Sequence, residues 1–192
     1  MNFDPATHRK TVKHFDEPGH AHELTFSCYQ RLSLLVDDDR CEMLALALDR
    51  ALEHHRYDLH AYVFMPEHVH LLVQPQPSAS SIAGLLYAIK RPFSYRVKQL
   101  MVERNDSVLA KLTVTERPSK KSFRFWQEGP GFDRNVVERT TAIQMIEYIH
   151  LNPVRRRLCA SPAQYRWSSW SAYFRPGCCE RVLPKVQTFP VS

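Results

Sequence analysis

The sequence lacks any apolar run long enough to span a membrane, which takes about 20 residues as a helix. Residues 1–5 also lack the basic block and the apolar block with which a secretory signal peptide begins. These two absences lead us to expect a cytoplasmic protein that has no membrane partner.

Regularly spaced pairs of cysteines are missing as well. The chain has five cysteines, no two of them are spaced as a CxxC motif, and the last two are adjacent. Disulfide-rich domains and structural zinc sites both need regular cysteine spacings, so the sequence predicts neither. Internal repeats and low-complexity blocks are also absent. The cysteines are Cys28, Cys41, Cys159, Cys178 and Cys179.

Length and charge indicate a basic globular protein. With 192 residues, 44% of them hydrophobic, the chain can bury one core of ordinary size. We expect an N-terminal arm over residues 1–20, one domain over residues 21–175 and a C-terminal tail over residues 176–192. Lys and Arg number 26 against 20 Asp and Glu, a formal net charge of +6. This charge favours polyanionic partners, of which nucleic acid is the leading candidate.

Residues 61–73 are expected to form two buried strands that are separated by Pro66. Successive side chains of a strand point to opposite faces, so His68 and His70 share one face. Two imidazoles on a rigid strand converge and could bind one metal ion. Two half-buried sheet histidines that hydrogen-bond to their neighbours would give the same pattern, so the spacing alone leaves both interpretations open.

A late helix carries a second group of candidate functional side chains. It is expected to begin near Thr140 or Thr141, and Pro153 places Asn152 at its final position. Tyr148 and Asn152 are four residues apart and therefore lie on one edge of the helix. An interfacial tyrosine and a C-terminal asparagine cap would fit the same spacing.

The remaining apolar patterns complete an α+β fold. The order of strands and helices suits a largely antiparallel sheet flanked by helices, similar to a ferredoxin-like or RRM-like fold, with a C-terminal helical extension. In the first half of the chain we also expect a strand over 22–29, a helix from 37–39 to about Arg56, and a helix from Ser80 or Ser81 that Pro92 kinks or interrupts. A basic loop over about 103–122 and a strand over 123–127 are expected to follow. An aromatic segment over 162–173 should dock on the core and be followed by a frayed end.

Basic residues cluster where a phosphate backbone could bind, which would make the affinity fall steeply with salt concentration. Charged helix surfaces are usually only solvated, so these clusters are weak indicators by themselves. An aromatic residue beside an arginine can stack on an unpaired base but is more often packed in the core. The candidate nucleic-acid-binding residues are Lys90, Arg91, Arg96, Lys98, Arg124, Trp126, Arg155, Arg156 and Arg157.

Four stretches, in this order, resemble the single-tyrosine HUH transposases, and among them the REP-associated tyrosine transposases. They are YVFMPEHVHLLV (62–73), FWQ (125–127), EYIHLNPVR (147–155) and YRWSS (165–169), and the likeness extends from about residue 23 to residue 173. Two positions depart from the family pattern. Glu67 stands where an asparagine is more usual, and EGPGF (128–132) replaces a more aromatic segment.

The resemblance implies an enzyme that nicks and joins single-stranded DNA next to a hairpin, acting as a monomer or as a homodimer. In that family the residues corresponding to His68, His70 and Asn152 hold a divalent ion, and Mg²⁺ or Mn²⁺ suits such mixed nitrogen and oxygen ligands. The residue corresponding to Tyr148 is the nucleophile, which forms a 5′-phosphotyrosine.

Two other functions remain possible at this stage. One is a non-catalytic, domesticated nucleic-acid-binding protein of the same fold, and the other is a metal-dependent phosphodiesterase that uses water as its nucleophile. A tyrosine phenol has a pKa near 10 and is a poor nucleophile at neutral pH unless its surroundings activate it. A covalent adduct between protein and DNA would distinguish the tyrosine enzyme from both alternatives.

Overall fold

Alternating apolar side chains build the central sheet of the protein. The computed structural model describes residues 19–129, 131–177 and 183–189, so most of the predicted N-terminal arm lies outside the described residues, as do Cys178 and Cys179. In chain order the elements are β1 (Ala21–Ser27), α1 (Asp38–His55), β2 (Tyr57–Met65), β3 (His68–Pro75), α2 (Ile82–Glu103), α3 (Leu109–Leu112), β4 (Thr113–Arg117), β5 (Lys120–Phe123), β6 (Phe132–Val136), α4 (Arg139–Arg155) and α5 (Trp170–Phe174).

Within the described ranges, four strands form the main sheet in the order β2–β3–β1–β6. Each neighbouring pair of strands is antiparallel, which confirms the predicted fold class. None of the described helices has both the length and the apolar character needed to cross a bilayer.

Helices cover both faces of this sheet. On one face α1 and α2 pack against Val69 and Leu71, and on the other face α4 packs against Val63 and Leu72. Burying one such aliphatic side chain contributes about 1.5–3 kcal/mol to folding. The two cores therefore fix which face of β3 each side chain occupies, and they confirm the predicted alternation.

The predicted helix starts are confirmed where side-chain caps form. The carboxylate of Asp37 accepts a hydrogen bond from the backbone N–H of Arg40 at 3.2 Å, just before α1. The hydroxyl of Ser81 accepts one from the backbone N–H of Gly84 at 3.2 Å, just before α2. Each cap satisfies a backbone donor that has no partner within its own helix.

Two predictions for the middle of the chain are wrong. The helix α2 is not interrupted at Pro92, because the buried side chains of Phe93 and Val97 hold its second half on the core, and a kink there stays a prediction. The basic segment predicted as a loop forms α3 and the hairpin β4–β5, in which Thr113 pairs with Phe123. The exposed part of this hairpin has no apolar alternation, so its sequence resembles that of a loop.

The late strand of the main sheet also differs from the prediction. Residues 123–127 were expected to form it, but within this segment β5 already ends at Phe123 and Trp126 makes only an isolated bridge to Cys28. The fourth strand is instead β6, which pairs with β1. A polar side chain of β6 points into the protein: a carboxylate oxygen of Asp133 lies 2.9 Å from Nδ1 of the buried His22, at hydrogen-bond distance. Because this inward position is polar, β6 lacks the apolar alternation by which a strand is predicted.

The C-terminal segment covers the outer edge of β2. The backbone N–H of Phe64 donates to the carbonyl of Trp167 at 2.9 Å, and the carbonyl of Tyr62 accepts from the N–H of Ser169 at 3.0 Å. Docking of the aromatic segment is therefore confirmed. Residues 183–189 continue along the same edge, where the N–H of Gln187 donates to Leu59 at 2.8 Å, so the prediction of a frayed end is wrong for these residues.

Gly131 holds the start of β6 against β1. Its φ is +85°, and a Cβ atom there would lie 2.3 Å from the carbonyl oxygen of Thr25. Replacing Gly131 with alanine is expected to lower the free energy of unfolding by about 2–5 kcal/mol, the sum of left-handed strain and overpacking. Urea unfolding measures this loss.

Gly129 is the matched control for that substitution. Its φ is +99°, but a Cβ atom there would meet nothing within 4 Å. Gly129→Ala should therefore cost only the backbone strain, about 1–2 kcal/mol. Equal losses for the two variants would contradict the inferred close approach of Gly131 to Thr25.

Candidate active site

The strand β3 brings two histidines together on the α4 face of the sheet. The Nε2 atoms of His68 and His70 lie 2.9 Å apart, and the ring planes are inclined at 82°. The residue between them, Val69, is buried in the core on the opposite face. The structure thus places both imidazoles as the alternation predicted.

The other ring nitrogens of this pair face oxygen atoms. Nδ1 of His70 lies 2.8 Å from the hydroxyl oxygen of Thr25. Nδ1 of His68 is buried and lies 3.3 Å from a carboxylate oxygen of Glu67, within ion-pair distance but without hydrogen-bond alignment. A hydrogen-bond partner such as the Thr25 hydroxyl fixes the tautomer and the orientation of a histidine that binds a metal through its remaining nitrogen.

Both imidazoles are held in the neutral form. Burial lowers the pKa of His70 to about 3, with a smaller contribution from the neighbouring His68. Burial also lowers the pKa of His68, although the nearby carboxylate of Glu67 opposes this shift. A neutral imidazole keeps the lone pair with which it binds a metal, so the pair is ready to act as two ligands at neutral pH.

The donor set fits a divalent ion that is completed by other ligands. Adjacent ligands of an octahedral ion with bonds of about 2.1 Å lie about 3.0 Å apart, close to the observed 2.9 Å between the Nε2 atoms. Among the described residues, no group of three or more His, Cys, Asp or Glu side chains could hold an ion. A further protein ligand would therefore have to be of another type, such as the amide of Asn152.

The helix α4 delivers Tyr148 to this histidine pair. The ring centres of Tyr148 and His70 lie 5.8 Å apart, with the rings edge to face, and both residues belong to the same chain. The guanidinium of Arg155 lies 5.0 Å from the centre of the same tyrosine ring. The side-chain amide of Asn152 donates to the carbonyl of Tyr148 at 2.9 Å. Tyr148 and Asn152 are thus joined within the turn that faces β3.

The predicted end of this helix at Asn152 is wrong, because α4 continues to Arg155 with Pro153 inside it. A proline disfavours helical geometry in the residue before it. Here Asn152 and Pro153 are both buried, so packing of the last turn outweighs that preference.

Glu67 links the histidine strand to the end of α4. Its Oε1 atom accepts a hydrogen bond from the guanidinium of Arg156 at 2.5 Å, and the same oxygen lies 3.3 Å from Nδ1 of His68. The carboxylate is largely buried, whereas the Arg156 side chain is 58% exposed. One carboxylate therefore touches both the candidate metal ligand and a cation that is open to solvent.

Sequence reasoning missed the contributions of Thr25 and Glu67 to the site. The presence of Glu67 where the family more usually has an asparagine could have drawn attention to this position. Nothing in the sequence, however, pairs Glu67 with Arg156. Thr25 alternates with apolar neighbours on β1, and its role follows only from the register that sets it opposite His70.

The candidate nucleic-acid-binding residues fall into separate groups. Arg155, Arg156 and Arg157 are exposed at the end of α4, beside the site. The basic residues of α2 belong to the helix layer on the opposite face of the sheet, so the structure does not bring the two groups together. In that layer the ammonium of Lys90 lies 4.8 Å from the ring centre of Phe26, and burial lowers the pKa of Lys90 to about 8. The other members of the α2 group are Arg91, Arg96 and Lys98.

The two remaining candidates differ in exposure. Trp126 is buried and packs against the rings of Phe26, Phe93 and Phe125, which leaves no ring face for a base. The prediction that Trp126 binds nucleic acid is therefore wrong. Arg124 is partly exposed and pairs with the carboxylates of two glutamates, and its role in binding stays a prediction.

Similarity to known proteins concerns the fold and the family of the chain. The fold is similar to that of a REP-associated tyrosine transposase whose structure was solved bound to a REP hairpin, with a TM-score of 0.67, 15% identity and coverage of 94% of both chains. A transposase candidate from Deinococcus radiodurans has 19% identity and a TM-score of 0.45, covering 72% of this chain and 95% of its own. No curated protein sequence matches. The family model described as Transposase IS200 like matches residues 19–152. The chain belongs to this family of IS200-like transposases.

Proposed function

We propose that the protein is a metal-dependent transposase of the cytoplasm that cuts and rejoins single-stranded DNA beside a REP-like hairpin through a 5′-phosphotyrosine. The observation that carries this proposal is the contact between Tyr148 and His70, whose ring in turn meets His68, within one chain. The solved relative that is bound to a REP hairpin supports hairpin DNA as the substrate.

The chemical step uses the phenol of Tyr148. Its oxygen forms a bond to the scissile phosphorus while the bond from phosphorus to the 3′ oxygen breaks. The phenol proton leaves to solvent, and the 3′ oxygen takes up a proton as the free hydroxyl. The phosphodiester energy stays in the phosphotyrosine link, so a second 3′ hydroxyl can reverse the step and join a new end.

The side chains around Tyr148 have distinct tasks in this step. Arg155 places a positive charge beside the ring of the attacking residue, which stabilises negative charge on the reacting oxygens. The exposed Arg156 and Arg157 hold neighbouring phosphates of the strand. His68, His70 and Asn152 would hold Mg²⁺ or Mn²⁺, which polarises a phosphoryl oxygen when it is bound.

Formation of a covalent adduct tests the proposal. The full chain is incubated with Mn²⁺ and a randomised pool of labelled DNA hairpins with single-stranded flanks, and the products are separated by denaturing electrophoresis. We expect labelled DNA that migrates with the protein, together with a free 3′ hydroxyl end.

Two outcomes would replace the proposal with its alternatives. Cleaved DNA with a free phosphate and no adduct would indicate a phosphodiesterase that uses water. Bound but intact hairpins would indicate a nucleic-acid-binding protein without catalytic activity.

A further inference from the structure

An aromatic side chain lies in the same row of the sheet as the active-site histidine. Thr25 of β1 pairs with His70 on one side and with Phe132 of β6 on the other. Residues that pair directly across antiparallel strands point to the same face. The hydroxyl of Thr25 contacts His70 on the α4 face, so Phe132 also points to that face.

This part of the face is open. The helix α4 packs mainly over β2 and β3, and the core that it forms reaches β1 and β6 only at Ala21 and Val136, at the other end of these strands. Thr25 is only partly buried and Phe132 is 51% exposed. Neighbouring strands are about 4.8 Å apart, which puts the backbone of Phe132 about 10 Å from that of His70. Thr25 and Phe132 therefore form a shelf that extends from the histidine pair to the edge of the sheet.

The position of Phe132 on this shelf is fixed by the backbone. Gly131 lacks the Cβ atom that would collide with the Thr25 carbonyl, so β6 begins in close contact with β1. Two residues further along the same face, the guanidinium of Arg134 bonds the Glu23 carboxylate at 3.1 Å and stays about half exposed. An aromatic ring and a cation thus lie side by side on a regular strand.

We propose that Phe132 is the stacking platform for an unpaired base close to the scissile phosphate. The inference rests on the proposed function, because it needs a single strand that leaves the site across β1. A half-exposed aromatic ring suits any base, since every base has a π-face to stack on. The strand would then run from Tyr148 past Thr25 to Phe132, and Phe132 would position the DNA for the reaction without touching the reacting atoms.

A cycle of protein and DNA substitutions tests this role. Binding is measured in the Tyr148→Phe background, which prevents cleavage, with a hairpin selected from the pool that wild-type protein converts to adduct. Each nucleotide near the nick is replaced in turn by an abasic residue. We expect one abasic position to weaken binding about 5- to 150-fold, and this loss to shrink to less than about threefold when Phe132→Leu is added.

Two further variants separate stacking from other effects. Phe132→Trp keeps an aromatic face and should restore the sensitivity to the abasic position. Phe174→Leu is the matched control, because Phe174 is 54% exposed on α5, and it should leave the abasic profile unchanged. Together these results would support a stacking role rather than a general loss of apolar surface.

The failures are distinguishable. An abasic profile that Phe132→Leu leaves unchanged, with adduct formation by wild-type protein intact, would overturn the inference alone. Wild-type protein that forms no adduct with any member of the pool would overturn the proposed function and the inference with it.

Discussion

Replacing Tyr148 with phenylalanine is expected to abolish the covalent adduct and to lower DNA nicking by about 10³-fold or more. The substitution removes only the phenolic oxygen that would attack phosphorus. The ring itself stays, and with it the contacts to His70 and Arg155. Folding and DNA binding should therefore be retained while chemistry is lost. Single-turnover nicking of a labelled hairpin, followed by denaturing electrophoresis, measures both losses.

A second tyrosine serves as the control. Tyr95 is 65% exposed on α2, which packs on the opposite face of the sheet. Tyr95→Phe should nick DNA and form adduct at the wild-type rate. Nicking by Tyr148→Phe at that same rate would show that another group is the nucleophile.

Replacing His70 with glutamine is expected to remove the response of the protein to Mn²⁺. An ion at about 100 times its dissociation constant stabilises the folded state by about 2.7 kcal/mol, which corresponds to a rise in Tm of roughly 5–11 °C for a chain of this size. The wild-type protein should show this rise and His70→Gln should not, because the variant lacks one of the paired Nε2 atoms. Nicking should fall by about 10²-fold or more.

The comparison is made within each variant, with and without Mn²⁺, so a change in basal stability does not affect it. His54→Gln is the control, since His54 is exposed on α1, and α1 packs on the face of the sheet opposite the paired histidines. It should keep the full Mn²⁺ response. The same rise in Tm for His70→Gln as for wild type would remove His70 from the metal site.

The parts of the site that depend on short-range periodicity could be predicted. The alternation of a strand sets His68 and His70 on one face, and the turn of a helix sets Tyr148 and Asn152 on one edge. Each pair is a local property of its own element. The contact of Tyr148 with His70 could be expected only from the resemblance, because no local pattern brings α4 onto β3.

The parts that depend on register could not be predicted in this way. Thr25 reaches His70 only because β1 and β3 pair as they do. The sequence does not predict β6, because one of its inward side chains, Asp133, is polar and bonds His22 on another strand. Pro92 and Pro153 were given too much weight, since a proline's local preference is weaker than the packing of a buried helix.

Backbone groups along the outer edge of β2 are already bonded to Trp167, Ser169 and Gln187, so this edge is closed to pairing with a second copy. Exposed strand edges invite pairing with another chain and, through it, aggregation. Among the described strands, β6 forms the opposite border of the main sheet. Joining two copies by extending their sheets would therefore take place along β6, next to the shelf that we assign to the DNA strand. Such an assembly and a bound substrate would compete for the same space.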